Sequence, residues 1–218
     1  MSRIGAMLLA GGMVLQAQAV AERPAYARVS AVLPSGDLKA YLGDKPLAYS
    51  FEVGYDIQGP DEHAALGLYS SYLIANGKAI GKYGGLRQSL YGWRVGADVR
   101  FKTPIQGLTP FLGLSMTAYN GVRDEGGLVP NYDVPSKPFQ VGTGRYPERK
   151  GKFGARVGLE YRLNEAWGVV LDYSFSEWVS DFQLNSYMPM TGTRVVDGVN
   201  PVHPSWVALS VQYRFKLW

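Results

Sequence analysis

The last stretch of the chain alternates strictly between apolar and small or polar side chains. From Val207 to Phe215, apolar residues stand at the odd positions and small or polar residues at the even ones. This period of two is the pattern of a β-strand with one apolar and one wet face. It recurs clearly at 49–57, 89–101, 153–163 and 167–175, and more weakly at 25–33, 64–75 and 109–119. The pattern therefore predicts eight strands.

The connections between these strands alternate in length. Long ones lie near 34–46, 121–150 and 179–203, one of intermediate length lies near 77–86, and short ones lie near 58–63, 103–107 and at Asn164–Glu165. Short turns on one side and long loops on the other are typical of barrels that cross an outer membrane. We therefore predict an all-β fold, an eight-stranded antiparallel up-and-down transmembrane β-barrel with long extracellular loops near 121–150 and 179–203. A soluble barrel alternates in the same way, so a periplasmic lipocalin-like binder stays an alternative.

The first residues have the three-part layout of a secretory signal peptide. Arg3 precedes an apolar stretch, and Ala17-Gln18-Ala19 is a small-x-small cleavage site. We predict a cleavable signal peptide at 1–19, with cleavage after Ala21 as an alternative, and a barrel at 20–218. Export and a barrel together predict the outer membrane of a Gram-negative envelope.

Composition agrees with a membrane barrel and excludes several other classes. The chain has 27 glycines and 15 tyrosines, no cysteine, and only 18% charged residues. The absence of cysteine in an exported chain excludes a disulfide framework. The formal net charge is +4 and no basic surface is patterned along the chain, so we expect no nucleic acid partner.

Three motifs resemble the small outer-membrane barrels of the OmpW and OmpA type: Ser50–Asp56, Thr109–Leu114, and Val157–Asn164 followed by Trp167. The aromatic final strand is similar to the closing strand of that group, which the barrel-assembly machinery reads as a signal. The resemblance assigns that signal here to Val211, Tyr213, Phe215 and Trp218. It implies no catalytic residue and no cofactor. It also implies a non-enzymatic barrel that binds or passes small hydrophobic solutes, or that anchors the envelope or adheres through its outer loops.

Charged residues fall on the face of the strands that the alternation turns inward. The inward positions hold equal numbers of cations and anions, namely Arg94, Arg100, Arg156, Arg162 and Arg214 with Glu52, Asp56, Asp98, Glu160 and Asp172. Charges in a narrow interior are costly unless they are paired. The balance predicts a lumen charge network that plugs the barrel; a gate in which partners exchange is the alternative.

A mostly basic run ends the longest predicted loop. Arg145, Arg149, Lys150 and Lys152 would lie at the height of the lipopolysaccharide phosphates, which Arg and Lys bind well. The run therefore predicts a lipopolysaccharide contact, with a solvated loop base as the alternative.

An enzymatic alternative rests on three residues near the outer ends of the last two strands. His203 and Ser205 share a face by the period of two, and Glu177 has the same outward parity. A Ser-His-Glu set there would suit cleavage of a lipid ester, and it faintly resembles the His-x-Ser of outer-membrane lipid A deacylases. The Asn and Gly that follow in that family are Trp206 and Val207 here. No spacing of potential ligands predicts a metal site.

Overall fold

The computed structural model describes residues 23–58, 63–79, 86–124, 128–129, 139–140, 144–147, 151–177, 179, 185–187, 194–196 and 202–216. The predicted signal peptide at 1–19 and Trp218 lie outside them. The elements are β1 Ala25–Ser35, α1 Gly36–Leu42, β2 Asp44–Gln58, β3 Ala64–Ala79, β4 Leu86–Phe101, β5 Leu108–Asp124, β6 Leu128–Val129, β7 Phe139–Gln140, β8 Gly144–Pro147, β9 Lys152–Arg162, β10 Trp167–Ser176, β11 Asn185–Tyr187, β12 Arg194–Val196 and β13 Ser205–Phe215.

Eight of these strands close into one antiparallel barrel. The strands follow the order β1, β2, β3, β4, β5, β9, β10, β13 and back to β1. The short strand β8 pairs with the long-loop end of β5. When the pairing is followed once around the wall from Ala25, it returns to β1 at Ser35, ten residues further along. Closure with such a stagger requires strands that are tilted against the barrel axis. The predicted fold class and strand count are therefore confirmed.

The strands extend further toward the long loops than the alternation predicted. Strand β2 begins at Asp44, inside the predicted 34–46 connection, and β5 runs to Asp124. Tyr119, the last residue of the predicted strand at 109–119, is therefore well inside β5, and its side chain is buried. Alternation marks a strand only where one face is apolar and the other polar, and both faces are mixed above the membrane belt.

The outward face of the barrel is a continuous apolar belt. Aromatic residues occupy its two rims: Phe101, Tyr161, Trp167 and Tyr213 near the short turns, and Tyr49, Tyr91, Trp93, Phe153 and Phe175 near the long loops. Leu114 and Leu209, between the rims, are 72% and 56% exposed. Aromatic girdles around an aliphatic band are the lipid-facing surface of a transmembrane barrel.

The first long connection contains a short helix that the sequence pattern missed. Helix α1 has Ser35 as its N-cap residue and ends at Gly43, whose φ of 77° is in the left-handed region that suits glycine. Leu38 and Leu42 lie one turn apart and are both fully buried. The helix is thus folded onto the mouth of the barrel. No helix among the described residues is long and apolar enough to span a membrane.

Candidate functional site

The inward face of the barrel is the candidate site, and it has two layers. The layer toward the short turns contains charged residues and aromatic rings. The layer toward the long loops contains apolar residues and α1. All ten charged residues that the alternation placed in the lumen point into the barrel, and nine of them are buried; Arg162, at the short-turn mouth, is half-buried.

Arg156 of β9 is the centre of the charged layer. One of its terminal nitrogens donates to Glu52 Oε2 over 2.6 Å, and its Nε donates to Asp98 Oδ1 over 2.7 Å. A second terminal nitrogen bonds Asp98 Oδ2. Its guanidinium also lies 3.5 Å from the ring centroid of Tyr69. Arg156 is 1% exposed, so this one side chain joins β9 to β2, β3 and β4 across the lumen.

Glu160 of β9 holds the second half of the layer together. Arg100 donates to its Oε2 over 2.5 Å, and Arg214 donates to its Oε1 over 3.0 Å. Arg214 also donates to Asp56 over 2.7 Å. Glu160 is fully buried; Arg214 bridges two carboxylates, and Arg100 contacts three. The carboxylates are therefore shared between cations, which is how a buried network keeps its charges compensated.

Arg28 and Gln212 also belong to this layer, although the sequence pattern did not single them out. Arg28 of β1 forms a 3.0 Å ion pair with Glu52 and donates two hydrogen bonds to Gln212 Oε1, over 3.1 and 2.6 Å. Gln212 in turn donates to Glu160 over 2.9 Å and so links the two halves. Arg28 was missed because alanines at Ala25, Ala27 and Ala31 make the outward face of β1 too small to give a strong alternation. The charge of Arg28 at an inward position of the weak strand at 25–33 was the signal that could have revealed it.

Aromatic rings fill the space between the arginines, and each lies against a cross-strand glycine. The pairs are Tyr26 on Gly54, Tyr69 on Gly96, Phe111 on Gly158 and Tyr119 on Gly92. A Cβ built at Gly158 would lie 2.4 Å from Phe111 Cζ, so no other residue leaves room for the ring. The ring faces stack on cations: the Arg100 guanidinium lies 4.9 Å from the Tyr26 centroid.

Arg94 marks the upper limit of the charged layer. It donates to Ser71 over 3.0 Å and to Ser174 over 2.9 Å, and its guanidinium lies 5.4 Å from the ring of Trp206. Ser174 passes a hydrogen bond on to Asp172 over 3.1 Å. On the long-loop side of this level the inward side chains are mostly apolar, although Ser50 and Ser176 are buried there too.

The apolar layer closes the long-loop end. Its buried members come from seven elements and the 179–202 bridge, and they are Val32, Leu38, Leu42, Ala48, Leu73, Ala75, Leu90, Tyr119, Val179, Trp206 and Ala208. A Cβ at Gly77 would lie 2.1 Å from the Leu42 carbonyl oxygen, which shows how closely α1 approaches β3. The backbone N–H of His203 donates to Asp37 over 3.2 Å and fixes the start of α1. The two layers together fill the cross-section of the barrel.

Two of the three residues of the predicted esterase set have hydrogen-bond partners outside the set. The Ser205 hydroxyl lies 2.9 Å from the Ser35 hydroxyl, and the Glu177 carboxylate accepts the backbone N–H of Phe153 over 3.1 Å. His203 is exposed before β13. Among the described residues, no cluster of three or more His, Asp or Glu side chains could hold a metal ion.

The predicted lipopolysaccharide contact and assembly signal are only partly within the described residues. Lys152 opens β9 and is half-buried, Arg145 lies in β8 opposite Val122, and Arg149 and Lys150 are outside the described residues. Val211, Tyr213 and Phe215 face outward on β13 beside β1, and the Tyr213 and Phe215 rings stack at 6.2 Å.

The chain matches one family model and is similar to several solved structures. A family model described as the outer membrane protein beta-barrel domain matches residues 4–215. Neisserial surface protein A (NspA) is 15% identical, with a TM-score of 0.55 over 88% of this chain and 96% of that chain. The N-terminal β-barrel domain of Pseudomonas aeruginosa OprF is 14% identical, with a TM-score of 0.45 over 89% of this chain and 98% of its own. Ail of Yersinia pestis is 11% identical, with a TM-score of 0.48 over 89% and 99%. No curated protein sequence matches the chain. The likeness to NspA is one of fold alone.

Proposed function

Because the chain belongs to the family of outer membrane protein β-barrel domains, we propose that it is a non-conducting anchor that presents its long loops outside the cell. The observation that carries this proposal is the filled interior. Eight strands enclose a lumen just wide enough for side chains. Here Arg156 alone bridges Glu52 and Asp98 across it. Opening a path would break several buried ion pairs at once.

The plug is favoured over the gate by the way the partners are shared. Glu52 contacts Arg28 at 3.0 Å, Arg94 at 3.6 Å and Arg156 at 2.6 Å. A gate exchanges one partner for another, whereas here Glu52, Asp56, Asp98 and Glu160 each already have more than one arginine partner. Removing a single partner from such a network costs about 3–5 kcal/mol.

The proposal is tested with the purified chain refolded into vesicles that contain a self-quenched dye. We expect the vesicles to retain the dye as well as protein-free vesicles do. Leakage that grows with the amount of folded protein would contradict the proposal. A variant shortened within 130–138 and 188–193 should fold equally well, because the barrel strands, the 179–202 bridge and α1 lie outside those two stretches.

One observation favours a second function, the capture of a small hydrophobic molecule. Among the described residues, α1 contributes Leu38, Leu42 and the partly buried Tyr41 to the long-loop side of the apolar layer. A hydrophobic molecule that displaced them would find an apolar compartment with the charged layer as its floor. Titration with an apolar fluorescent probe tests this function: saturable binding that Leu38→Trp abolishes supports capture, and no binding rejects it.

We also propose that the barrel is not an enzyme. This is supported by the partners of two residues of the set: the hydroxyls of Ser205 and Ser35 bond to each other, and the Glu177 carboxylate accepts the backbone N–H of Phe153. Expression with wild-type protein should leave the mass of lipid A unchanged. A mass shift that Ser205→Ala abolishes would overturn this part.

The basic run at the base of the longest loop remains a proposed contact for lipopolysaccharide. Lys152 stands at the long-loop rim of β9, beside the exposed aromatic ring of Phe153. Barrel-assembly machinery is the other proposed partner, through the outward aromatic face of β13. Reconstitution of that machinery with Tyr213→Ser and Phe215→Ser variants tests the second contact, since we expect slower assembly.

A further inference from the structure

Arg94 has a less complete set of partners than the other buried arginines of the charged layer. Its ion pair to Glu52 spans 3.6 Å, and Glu52 is already held by Arg28 at 3.0 Å and by Arg156 at 2.6 Å. The hydrogen bonds of Arg94 go to two serine hydroxyls, and the carboxylate of Asp172 is reached only through one of them. A buried guanidinium with only one long ion pair keeps part of its charge uncompensated.

The Arg94 side chain also has open surface inside the barrel. It is 8% exposed, although it points into the lumen. The corresponding values are only 1–3% for the other buried arginines of the layer, namely Arg28, Arg100, Arg156 and Arg214. A small molecule can therefore contact this guanidinium where the charged layer meets the apolar layer.

Two hydroxyls without a hydrogen bond lie beside Arg94. Thr117 is its cross-strand partner on β5, and Tyr119 is the next inward residue of that strand; each is 2% exposed. A Cβ at Gly92 would lie 3.1 Å from the Tyr119 ring and 3.2 Å from the Thr117 methyl group, so both side chains flank one glycine of β4. The two hydroxyls lie near each other and near that of Ser176, but neither forms a hydrogen bond of normal geometry. Buried hydroxyls without partners are costly, so they point to a binding site.

The chemistry of these groups selects an anionic oxygen. The guanidinium of Arg94 can only donate hydrogen bonds, and the hydroxyls of Thr117 and Tyr119 each have a proton to donate. A carboxylate accepts from all three groups and also compensates the charge of Arg94. Hydrogen bonds between charged groups are roughly twice as strong as neutral ones, so a carboxylate gains more here than an alcohol does.

The surroundings of this cluster are apolar on the long-loop side. The ring of Trp206 lies 5.4 Å from the Arg94 guanidinium. Leu73 is the cross-strand partner of Gly92, and the next inward pair is Ala75 with Leu90. All four of these apolar side chains are buried. A carboxylate bound at Arg94 therefore has hydrocarbon as its neighbour, which fits the tail of an amphiphile.

The depth of the apolar layer fits one acyl chain. Strand β3 runs six residues from Ser71, opposite Arg94, to Gly77, against which α1 packs. At about 3.3 Å per residue and a tilt of about 40°, this is about 15 Å along the barrel axis. The hydrocarbon depth of one leaflet is also about 15 Å, half of the ~30 Å core. An eight-stranded barrel has room for only one small ligand.

We propose that Arg94, Thr117 and Tyr119 form the head-group site for a single-chain carboxylate amphiphile, whose tail occupies the apolar layer beneath α1. This inference rests on the proposed capture of a small hydrophobic molecule and names the class of that molecule. It also assigns a function to two buried hydroxyls that the fold itself does not use.

Trp206 provides the readout because its ring lies over Arg94 and is only 3% exposed. The full chain is reconstituted in phospholipid vesicles and titrated with dodecanoate or with dodecanol, each carrying one bromine near its head group. The Trp206 signal is the difference between wild type and Trp206→Phe, which removes the quenching of the other tryptophans. We expect saturable quenching by both, with half-saturation by the carboxylate at a mole fraction about tenfold lower than by the alcohol.

Three variants separate head-group binding from folding. Arg94→Met should abolish the preference for the carboxylate, while Glu52 keeps two other arginines. Thr117→Val removes a hydroxyl that has no hydrogen bond, so it should weaken carboxylate binding about fivefold without lowering stability. Ser30→Ala is the matched control, because the Ser30 hydroxyl already accepts a hydrogen bond from Ser210 over 2.8 Å; it should leave carboxylate binding unchanged. Heat-dependent mobility on SDS gels confirms that each variant is folded.

The outcomes distinguish this proposal from the capture function. Equal half-saturation by carboxylate and alcohol, or unchanged carboxylate binding in folded Thr117→Val, would overturn the head-group site and leave capture standing. Stronger quenching of Trp206 by a bromine near the methyl end than by one near the carboxylate would also overturn it, because the head group would then lie away from Arg94. The absence of saturable quenching by either molecule would reject both the head-group site and capture.

Discussion

Replacing Arg156 by methionine tests the charged layer most sharply. Met is of similar length and can fill the space, but it cannot compensate two carboxylates. Glu52 would keep Arg28 at 3.0 Å and Arg94 at 3.6 Å, whereas Asp98 would keep only the longer contact to Arg100, at 3.6 Å. Most of the cost therefore falls on Asp98, which is fully buried. Removing one partner of a buried pair costs about 3–5 kcal/mol, so we expect a loss of about 4 kcal/mol.

A second substitution should recover part of that loss. Asp98→Asn in the Arg156→Met background removes the uncompensated charge at nearly constant volume, so about 2 kcal/mol should return. Arg23→Met is the matched control, because Arg23 pairs at 3.5 Å with a Glu165 side chain that is 70% exposed; it should change stability by about 0.5 kcal/mol or less. The assay is urea unfolding in micelles, followed by tryptophan fluorescence. The reasoning is refuted if Arg156→Met stays within about 1 kcal/mol of wild type, or if the double variant is no more stable than the single one.

Three further predictions concern other parts of the barrel. Gly158→Ala should destabilise the fold by about 1–3 kcal/mol, because its Cβ would lie 2.4 Å from Phe111 Cζ. The double variant Gly158→Ala with Phe111→Leu should recover part of this loss. Equal unfolding midpoints for the wild type and both variants would contradict the packing described. Leu38→Ala should destabilise the packed position of α1 by about 2–5 kcal/mol and so raise the rate of proteolysis near 36–43. Lys39→Ala, on the exposed side of α1, should leave that rate unchanged. A similar rate in both variants would count against the docking of the helix. Ser35→Ala and Ser205→Ala should each lower the free energy of unfolding by about 1 kcal/mol. The double variant should lose little more than either single variant, since the two hydroxyls bond to each other. Fully additive losses in urea unfolding would show that the two residues act separately.

The strands and their faces could be read from the sequence because a membrane barrel imposes one rule along its whole length. Residues such as Val157 and Leu159 must face lipid, and the residues between them must face the lumen, so a period of two survives throughout β9. The inward charges follow from the same parity. The alternation within β9 alone places Arg156 and Glu160 inside the barrel, even when their partners are not known.

The partners themselves depend on the stagger of the strands. Arg156 is bound to Glu52, 104 residues away, because the pairing around the wall brings β9 and β2 to the same level. Alternation within a strand carries no information about that level. The aromatic–glycine pairs were missed for the same reason, although each glycine and its ring are visible in the sequence.

Helix α1 could have been found from local signals. Ser35 and Gly43 are typical residues for the two ends of a helix, and Leu38 and Leu42 are spaced by one turn between them. Only seven residues separate the two ends, and so short a helix is stable only through its packing. The apolar residues that supply this packing at the mouth of the barrel come from seven other places in the chain.

The most direct test of the filled interior is the ionic conductance of single proteins in a planar bilayer, with a general porin as the positive control. Wild-type protein that is shown to be folded by its mobility on SDS gels should insert without producing steps of current. Discrete, reproducible openings of the wild-type protein would show a continuous aqueous path through the charged layer and past α1, and would contradict the account.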